Sequence, residues 1–515
     1  MTERFPIVLA IIDGWGIAPP SKGNAVTLAK TPVIHRWAKT YPHTAIAASG
    51  TAVGLDRDQD GNSEAGHMNI GAGRLVPQDD MRISQSITEG TFFRNPAFLA
   101  AVNHAIKHKS TLHLVGMIGN TQSAHANPDH LTALLLMIKH YKLPRVRLHL
   151  FTDGRDSPQY FAQDIIARIL PVLGTAKIAT IMGRFYGMDR NKTWTRTEMA
   201  YRAIVDAHGR YTAESPLQAV TAGYERKESD EFIKPTIIDG YDGMHDYDAV
   251  IHFNLRSDRA RQLTKALVQP DFETKNASTK CFQRSRVIKN LTFVAMTEFG
   301  PDLESVLTAF PAVQLKDTYP FVMAGRKQLY IAESEKYAHV TYFFNGGYAD
   351  PVAGEKRIMI PSPDVTFYDQ TPGMMSEEIT ARVLEALSTD AADCIVLNYA
   401  NLDMVAHTGK LDASIKAVEI TDVCLGKLEA AILEKNGLLI VTADHGNVEE
   451  LLNLRNDDVD TEHSTNPVPF YVVSKQFPSL RFRLDGALGD IVPTILSLAE
   501  IPQPAAMTGH SLLEV

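Results

Sequence analysis

The chain has 515 residues, more than one hydrophobic core usually supports, so its length predicts two domains. Hydrophobic residues make up 44% and charged residues 22%, as in an ordinary globular protein, and the net charge of −9 argues against a nucleic-acid or membrane-surface partner. The three cysteines are scattered without a Cys-x-x-Cys pair, which excludes a disulfide scaffold and a thiolate metal site and predicts a reducing, cytoplasmic location.

The first predicted element is a buried strand that ends at an aspartate. The run Pro6–Ile12 is continuously apolar and leads directly to Asp13, so it predicts a core strand rather than a signal peptide. Two later runs, Cys394–Leu397 and Leu438–Val441, have the same character, and no run is long enough to cross a membrane. Because ligands bind beyond the carboxyl ends of parallel strands, the three runs predict one site assembled from both ends of the chain.

The segment Gly61–Arg74 is rich in glycine and carries Ser63 at the predicted start of a helix. The ordinary role of such a serine is to cap the helix. The alternative role is that of a nucleophile, whose hydroxyl a metal ion would deprotonate and whose negative charge the helix N-terminus would favour. A neighbouring metal site makes the nucleophile the better interpretation.

Between the two shared ends lies a predicted insertion with its own alternation of strands and helices, so both domains belong to the α/β class. Glycine and proline interrupt the pattern near Gly73–Pro77 and Glu298–Pro301. We therefore place the insertion at residues 77–301 and the discontinuous first domain at residues 1–76 and 302–515. The strand-like runs of the insertion are Leu112–Ile118, Val146–Phe151, Ile178–Met182 and Ala249–Phe253.

Basic residues cluster after the strand-like runs of the insertion. The arginines are Arg155, Arg184, Arg190, Arg256 and Arg259. The common fate of such residues is a solvated, salt-bridged surface. Because arginine binds phosphate and carboxylate groups through paired hydrogen bonds, several arginines at strand ends also predict an anion pocket. Asp156, which lies among them, could act as general acid and base for a substrate hydroxyl.

The C-terminal part supplies oxygen and nitrogen ligands of the kind that metal ions bind. With the first strand they form the set Asp13, Asp403, His407, Asp444, His445 and His463. Asp403 and His407 share one face of a helical turn, whereas His463, taken alone, would be an ordinary surface histidine. Ligands without sulfur suit Mn²⁺, Zn²⁺, Co²⁺ or Mg²⁺, and the histidines disfavour Mg²⁺ and Ca²⁺. The set predicts a metal site, with room for two ions.

Together these segments resemble one family over nearly the whole chain: the cofactor-independent (2,3-bisphosphoglycerate-independent) phosphoglycerate mutases of the alkaline phosphatase superfamily. The matching strings have the order and spacing of the family's motifs. They are Ile12–Gly16, Gly61–Arg74, Thr152–Asp156, Met188–Arg190, Arg256–Gln262, Glu335–Thr341, Phe343–Gly347, Asp403–Gly409, Thr442–Val448 and Asn466–Pro469. The resemblance implies an alkaline-phosphatase-like, doubly wound sheet domain that binds metal, with an inserted α/β phosphotransferase domain that binds substrate.

The resemblance also implies an activity and a role for each matching residue. The activity is the interconversion of 3-phosphoglycerate and 2-phosphoglycerate in glycolysis and gluconeogenesis, by a monomeric isomerase with a phosphoserine intermediate. One metal ion would be held by Asp403, His407 and His463. The other would be held by Asp13, Ser63, Asp444 and His445. Mn²⁺ is the expected ion, with Co²⁺, Zn²⁺ and Mg²⁺ as alternatives.

The remaining implied roles concern the phosphoryl group and the glycerate. Ser63 would be the nucleophile, Lys336 would help to neutralise the phosphoryl group, and Asp156 would carry the proton of a substrate hydroxyl. The substrate would be bound by His125, Arg155, Asp156, Arg184, Arg190, Arg256, Arg259 and Lys336.

Two places depart from the family's pattern. The family carries Ser-Asp-Gly-Gly-Val-His-Ser-His where this chain has Asn120–Asn127, so of the two histidines only His125 is kept. Asp60 stands where the family has methionine, three residues before Ser63. An added carboxylate there could raise the pKa of the nucleophile or change the metal preference.

Two other functions stay open on the sequence alone. A metal-dependent phosphatase or another phosphomutase of the superfamily would use the same Ser63 site on a different ester, although the arginine cluster favours a small carboxylate-bearing substrate. A binding or regulatory protein that lost catalysis is suggested by the altered Asn120–Asn127 loop. All seven metal-site positions and Lys336 are present, which argues against that second alternative.

Overall fold

The strands of the protein are short, apolar and mostly buried. The computed structural model describes residues 5–120, 123–300, 302–303, 305–454 and 458–514. The strands are β1 Ile7–Ile12, β2 His43–Ile46, β3 Leu112–Ile118, β4 Val146–Thr152, β5 Ala176–Gly183, β6 Tyr211–Ala213, β7 Thr236–Ile238, β8 Ala249–His252, β9 Thr292–Thr297, β10 Val306–Phe310, β11 Gln328–Glu333, β12 Lys356–Ile360, β13 Cys394–Tyr399, β14 Leu438–Thr442 and β15 Val468–Val473.

Helices connect most of these strands, and their start signals are visible in the sequence. The α-helices are α1 Ala25–Leu28, α2 Pro32–Thr40, α3 Ser63–Ala72, α4 Asp79–Thr88, α5 Pro96–His108, α6 Pro128–His140, α7 Ala162–Ile169, α8 Arg184–Gly187, α9 Trp194–Val205, α10 Pro216–Glu225, α11 Ser257–Val268, α12 Phe272–Lys275, α13 Tyr319–Val322, α14 Ser376–Ser388, α15 Asn401–Ala406, α16 Leu411–Glu434 and α17 Ile491–Leu498. A capping Asn or Ser followed by proline begins α5, α6 and α10, because proline fits the first helical position without loss of a hydrogen bond.

The chain divides into two units. The first unit contains Met1–Gln78 and Val313–Val515, and the second contains Asp79–Ala312. The sequence places the return to the first domain at residue 302, but the second unit extends further because β10 pairs in parallel with β9 at its edge. Pro301 and Glu304 lie outside the described residues.

The sheet of the first unit is built around β1. Its strand order is β12-β11-β13-β1-β14-β15-β2. Ile7 pairs in parallel with Cys394 of β13 on one side and with Leu438 of β14 on the other, so all three strands run in the same direction and in matching register. The prediction that the three apolar runs are adjacent, buried parallel strands is therefore confirmed. Strand β15 is antiparallel to β14 and to β2.

The sheet of the second unit has the order β10-β9-β8-β3-β4-β5-β7-β6. The four predicted runs form its centre as β8, β3, β4 and β5, which pair in parallel. Alternate residues of β3 enter two separate apolar clusters: Leu112 and Leu114 lie in one, Val115 and Met117 in the other. The sheet is thus covered on both faces, as its continuous hydrophobic strands require. In the described part of the chain, the helices all lack the combination of length and apolar character needed to cross a membrane.

Candidate metal centre and arginine pocket

Three buried carboxylates follow the central strands of the first unit. Asp13 comes directly after β1, Asp444 comes two residues after β14, and Asp403 lies in α15, which follows β13. Each of the three residues is at most 1% exposed. Because the strands are parallel and in register, their carboxyl ends bring these side chains to one edge of the sheet, as the sequence predicts.

Helix α3 packs tightly against this edge, and a glycine allows it. A Cβ atom placed on Gly66 would lie 2.5 Å from the backbone oxygen of Asp444 and 2.7 Å from its Cβ. These distances are too short for any larger side chain. The close approach brings the first residue of α3, Ser63, next to the carboxylates.

The Ser63 hydroxyl is directed into the cluster rather than used as a helix cap. Asn62 caps α3, and its side chain accepts a hydrogen bond of 2.9 Å from the backbone N–H of Ala65. Ser63 Oγ lies 3.2 Å from Asp13 Oδ1, 3.0 Å from His445 Nε2 and 2.7 Å from Lys336 Nζ. The capping role considered from the sequence is therefore wrong, and the hydroxyl lies among charged groups at a helix N-terminus.

Lys336 is the buried cation at the middle of this cluster. Its ammonium group donates hydrogen bonds to Asp13 Oδ1 at 2.6 Å, to Ser63 Oγ and to Asp403 Oδ2 at 2.8 Å. Burial alone would lower the pKa of Lys336, but the carboxylates of Asp13 and Asp403 outweigh it and raise the pKa. In turn, burial would raise the pKa of Asp403, and Lys336 holds it well below its usual range.

Two histidines present their Nε2 atoms to Asp403. His407 Nε2 and His463 Nε2 lie 3.2 Å and 3.4 Å from Asp403 Oδ1 and 3.2 Å from each other. Their Nδ1 atoms face the backbone oxygens of Thr461 and Gly61, both at 2.8 Å. A carbonyl oxygen only accepts hydrogen bonds, so each Nδ1 donates to it, and each Nε2 is the ring nitrogen directed to Asp403, where a bound metal ion would meet it.

His445 links the serine to the aspartates. Its Nε2 lies 3.4 Å from Asp13 Oδ1, and its ring stacks on that of His463 with 3.9 Å between centroids. Burial would lower the pKa of His445, but the nearby carboxylates of Asp444 and Asp13 raise it to about 9.

His67 is a member of the cluster that the sequence interpretation missed. It is fully buried one helical turn after Ser63, and its Nδ1 lies 3.2 Å from Asp444 Oδ2 and 2.9 Å from the Ser63 backbone oxygen. Its Nε2 lies 3.1 Å from Asn398 Nδ2, which also donates to Asp13 Oδ2 at 2.7 Å. The spacing of four residues from Ser63 on one helix face is the signal that could have identified it.

The donor atoms fit divalent cations. Potential ligand atoms lie within 4.8 Å of one another in two groups: Asp403 with His445 and His463, and Asp13 with His67 and Asp444. These distances group His445 with Asp403 and His463, whereas the family resemblance implies that it shares an ion with Asp13 and Asp444. They also add His67 to the group of Asp13 and Asp444. Three buried carboxylates face two positive groups, the Lys336 ammonium and the protonated His445 ring, so a negative charge is left that divalent cations would offset. Oxygen and imidazole donors are those that divalent first-row metals accept.

A second constellation, rich in arginine, lies in the second unit. A cavity of about 260 Å³ is lined by Arg155, Arg184, Phe185, Met188, Asp189, Arg190, Asn191, Arg196, Glu231, Phe232 and Arg259. Four predicted arginines are thus brought together, and Arg196, Glu231 and the two phenylalanines are additions that the sequence did not suggest. Arg196 lies over the Phe185 ring at 3.7 Å and pairs with Asp189 at 3.1 Å. Burial lowers the pKa of Arg259, and the positive charges of Arg184 and Arg190 lower it further.

Arg184 and Asp156 form the buried part of this constellation. Arg184 is 3% exposed and pairs with Asp153 Oδ1 at 2.5 Å and with Asp156 Oδ2 at 2.8 Å. Arg184 Nε, Asp153 Oδ2 and His125 Nδ1 are buried without a hydrogen-bond partner among the described residues. Such atoms call for a polar ligand. Burial and the nearby Arg184 charge lower the pKa of His125 to about 4, so its ring is neutral.

Arg256 is not among the residues that line the cavity, but it is linked to one of them. Its Nε is 3.9 Å from Asp258 Oδ1, and Asp258 also pairs with Arg190 at 2.7 Å. Asp258, at the start of α11, therefore links Arg256 to Arg190, which follows α8. Thr121 and Gln122 of the altered Asn120–Asn127 loop lie outside the described residues.

Comparison with known proteins agrees with this site. Residues 5–503 match the model of the metalloenzyme superfamily, so the chain is a metalloenzyme of that superfamily. The curated 2,3-bisphosphoglycerate-independent phosphoglycerate mutases of Chloroflexus aggregans and Clostridium kluyveri are each 45% identical to it, over 100% and 99% of this chain and 99% and 100% of their own lengths. The crystal structure of Leishmania mexicana phosphoglycerate mutase at low cobalt concentration matches with a TM-score of 0.76 and 29% identity, over 100% of this chain and 98% of that one.

The chain therefore belongs to the family of 2,3-bisphosphoglycerate-independent phosphoglycerate mutases. The resemblance drawn from the sequence and the predicted alkaline-phosphatase-like α/β fold class are confirmed. The expectation of divalent metal binding is confirmed at the level of the superfamily and of the ligand groups.

Proposed function

We propose that the protein is an isomerase that interconverts 3-phosphoglycerate and 2-phosphoglycerate without 2,3-bisphosphoglycerate, through a phosphoserine at Ser63. The observation that carries the proposal is the position of the Ser63 hydroxyl, within 3.2 Å of Asp13, His445 and Lys336 at the start of α3. The full-length relatives that bear the name of this activity support it.

Two divalent cations would be held at this centre. We assign Asp403, His407 and His463 to one cation, and Asp13, Ser63, Asp444 and His445 to the other. Mn²⁺ is the ion we expect, because the mixed carboxylate and imidazole set suits it better than Mg²⁺ or Ca²⁺; Co²⁺, Zn²⁺ and Mg²⁺ are the alternatives. When bound, the cations would lower the pKa of the Ser63 hydroxyl and offset the charge of the phosphoryl oxygens.

Ser63 is the nucleophile in the proposed reaction. Its Oγ attacks the phosphorus of 3-phosphoglycerate, and the bond from phosphorus to Oγ forms as the bond to the 3-oxygen breaks. The ammonium group of Lys336, 2.7 Å from Oγ, stabilises negative charge on the serine and on the transferring phosphoryl group. The 2-oxygen of the retained glycerate then attacks phospho-Ser63, which completes the isomerisation.

The second unit would bind the glycerate and manage its proton. We assign the binding of its carboxylate and hydroxyl groups to His125, Arg155, Arg184, Arg190, Arg256 and Arg259. Asp156 begins ionised, accepts the proton of the 2-hydroxyl, and in its protonated form gives that proton to the 3-oxygen as the bond from the 3-oxygen to phosphorus breaks, so that it is ionised again afterwards. The pairing with Arg184 at 2.8 Å favours that ionised form.

The test is conversion of 3-phosphoglycerate by the purified protein, followed by coupling to enolase. The assay contains no bisphosphoglycerate and is run after chelation and again after Mn²⁺ is restored. Metal-dependent isomerisation that is lost in the folded Ser63→Ala variant is the expected result. Release of free phosphate instead would favour a phosphatase, and inactivity with every divalent metal would favour a protein that has lost catalysis.

We further propose a cytoplasmic monomer that acts in glycolysis and gluconeogenesis. Cys394 and Cys424 are buried free thiols and Cys281 is a half-buried one, as suits a reducing compartment. Light scattering after size-exclusion chromatography tests the monomer: a mass near 56.8 kDa is expected, and twice that mass would contradict it.

A further inference from the structure

Ser123 lies in the loop where the sequence departs from the family and touches the residue that we assign to proton transfer. Its side chain donates a hydrogen bond of 2.7 Å to Asp156 Oδ2. The backbone N–H of His125 donates to Ser123 Oγ at 3.2 Å. Ser123 is 6% exposed, so water competes little for these bonds.

These two contacts fix the direction of the Ser123 hydroxyl. A hydroxyl has one proton and two lone pairs, and the His125 N–H uses a lone pair. The single proton is therefore directed to Asp156. The hydrogen bond that it makes is stronger to an ionised carboxylate than to a protonated one.

One anchor of the loop does not involve the Ser123 hydroxyl. Next to Asn120, Gly119 lets the loop approach the turn after β4, because a Cβ atom there would lie 3.1 Å from Ser157 Oγ. The backbone N–H of Asn120 donates to Ser157 Oγ at 3.0 Å. Loss of the Ser123 hydroxyl therefore removes the bond to Asp156 and the bond from the His125 N–H, while the bond that holds Asn120 stays.

Several charged groups face Asp156 from the elements around it. Arg184, at the start of α8, donates to Oδ2 at 2.8 Å and also pairs with Asp153. The backbone N–H of Asp156 donates to Asp153 Oδ1 at 3.2 Å, and His125 approaches from the altered loop. Ser123 and Arg184 bond the same oxygen, Oδ2. Oδ1 is then the oxygen that can receive the proton of a substrate hydroxyl.

We propose that Ser123 is a positioning residue of the mutase reaction, which orients the Asp156 carboxylate and keeps it ionised for proton transfer. The inference rests on the proposed function, because it assumes that Asp156 carries the proton. Burial would raise the pKa of Asp156, and the bonds from Ser123 and Arg184 lower it. Loss of the Ser123 bond should therefore move the acid limb of the rate profile to higher pH.

The experiment compares the pH dependence of kcat in the Mn²⁺-saturated enzyme. In Ser123→Ala the acid limb should move to higher pH by about one unit, the size expected from the loss of one hydrogen bond to a charged group. KM for 3-phosphoglycerate should change less than twofold. Ser123→Thr keeps a hydroxyl and should restore the wild-type limb. Ser123→Gly, the family's residue, removes the same hydroxyl and should repeat the shift if the alanine variant folds poorly.

Ser86→Ala is the matched control, since it removes a buried serine hydroxyl of the second unit that donates to the Ile83 backbone oxygen rather than to Asp156. Its acid limb should coincide with that of the wild type. An unchanged limb in both Ser123→Ala and Ser123→Gly, with Asp156→Asn inactive, would overturn the inference and leave the proposed function standing. A wild-type enzyme without mutase activity, or a fully active Asp156→Asn, would instead overturn the proposed function or its proton carrier.

Discussion

Replacement of Lys336 by methionine should destabilise the metal-free protein much more than the metal-loaded one. The Lys336 ammonium group is buried and donates to Asp13, Ser63 and Asp403 at 2.6 to 2.8 Å. Methionine fills similar volume but leaves the buried carboxylates without their cation. Loss of one partner from a buried charge cluster costs about 3–5 kcal/mol. Bound divalent cations supply positive charge to the same carboxylates, so the destabilisation caused by Lys336→Met should fall to under half of that value when metal is bound.

The assay is thermal unfolding of Lys336→Met and wild type, each with chelator and with saturating Mn²⁺. For a unit of this size, about 3–5 kcal/mol corresponds to a melting temperature lower by roughly 5–10 °C without metal. The Mn²⁺-induced rise in melting temperature should therefore be larger in the variant than in the wild type. Lys475→Met, at an exposed position, is the control and should behave as the wild type does. An equal Mn²⁺-induced rise in Lys336→Met and wild type would refute the reasoning.

Three further substitutions test residues that position the metal centre or stabilise the second unit. His67→Ala should weaken Mn²⁺ binding by about 10- to 100-fold, because it removes the group that holds Asp444; calorimetric titration measures it, and unchanged affinity would contradict the role. Gly66→Ala should lower kcat by about 100-fold, since its Cβ would lie 2.5 Å from the Asp444 backbone oxygen and displace α3; a fully active variant would show that α3 can shift without cost. Glu273→Gln should destabilise the second unit by about 1–3 kcal/mol at neutral pH. Hydrogen bonds from Arg284 lower the pKa of Glu273 to about 2, so denaturation should show this difference fading as pH falls from about 4.5 to 2, and a difference independent of pH would contradict it.

The central strands could be predicted from sequence because their signal is local. Runs such as Cys394–Leu397 and Leu438–Val441 are apolar without interruption, and only strands buried on both faces require that pattern. Strand β10, Val306–Phe310, is a different case: it lies at the edge of its sheet, is largely half-buried or exposed, and has no such run. The end of the second unit therefore lies further along the chain than glycine and proline alone indicate.

The ligand residues could be named from sequence, but their exact arrangement could not. The Nε2 atoms of His407 and His463 are directed to Asp403 because backbone oxygens of Thr461 and Gly61 hold their Nδ1 atoms. Those oxygens belong to every residue type, so no sequence pattern marks them. Ser123 was missed for a related reason: its contact with Asp156 depends on two loops that meet only when β3 and β4 pair.

The same principle of strand pairing produces two sites of opposite charge. In the first unit, β13, β1 and β14 lead to three buried carboxylates. In the second unit, β4 and β5 are paired so that Thr152 lies opposite Gly183, and the residues that follow them are Asp153–Asp156 and Arg184. The second site attracts an anionic glycerate by itself, whereas the first would repel a phosphoryl group.

This difference in charge predicts that metal removal abolishes turnover without abolishing substrate binding. Near the carboxylates of Asp13, Asp403 and Asp444, the Lys336 ammonium and the protonated His445 ring still leave a net negative charge that opposes a phosphoryl dianion. The arginine cavity does not need metal ions to supply its positive charge. Calorimetry with chelated protein should therefore still detect binding of the glycerate ester, with an affinity reduced by less than tenfold. Turnover under the same conditions should fall by at least 1,000-fold and return with Mn²⁺. If chelation removed binding and turnover together, the assignment of substrate binding to the arginine cavity and of phosphoryl transfer to the metal centre would be wrong.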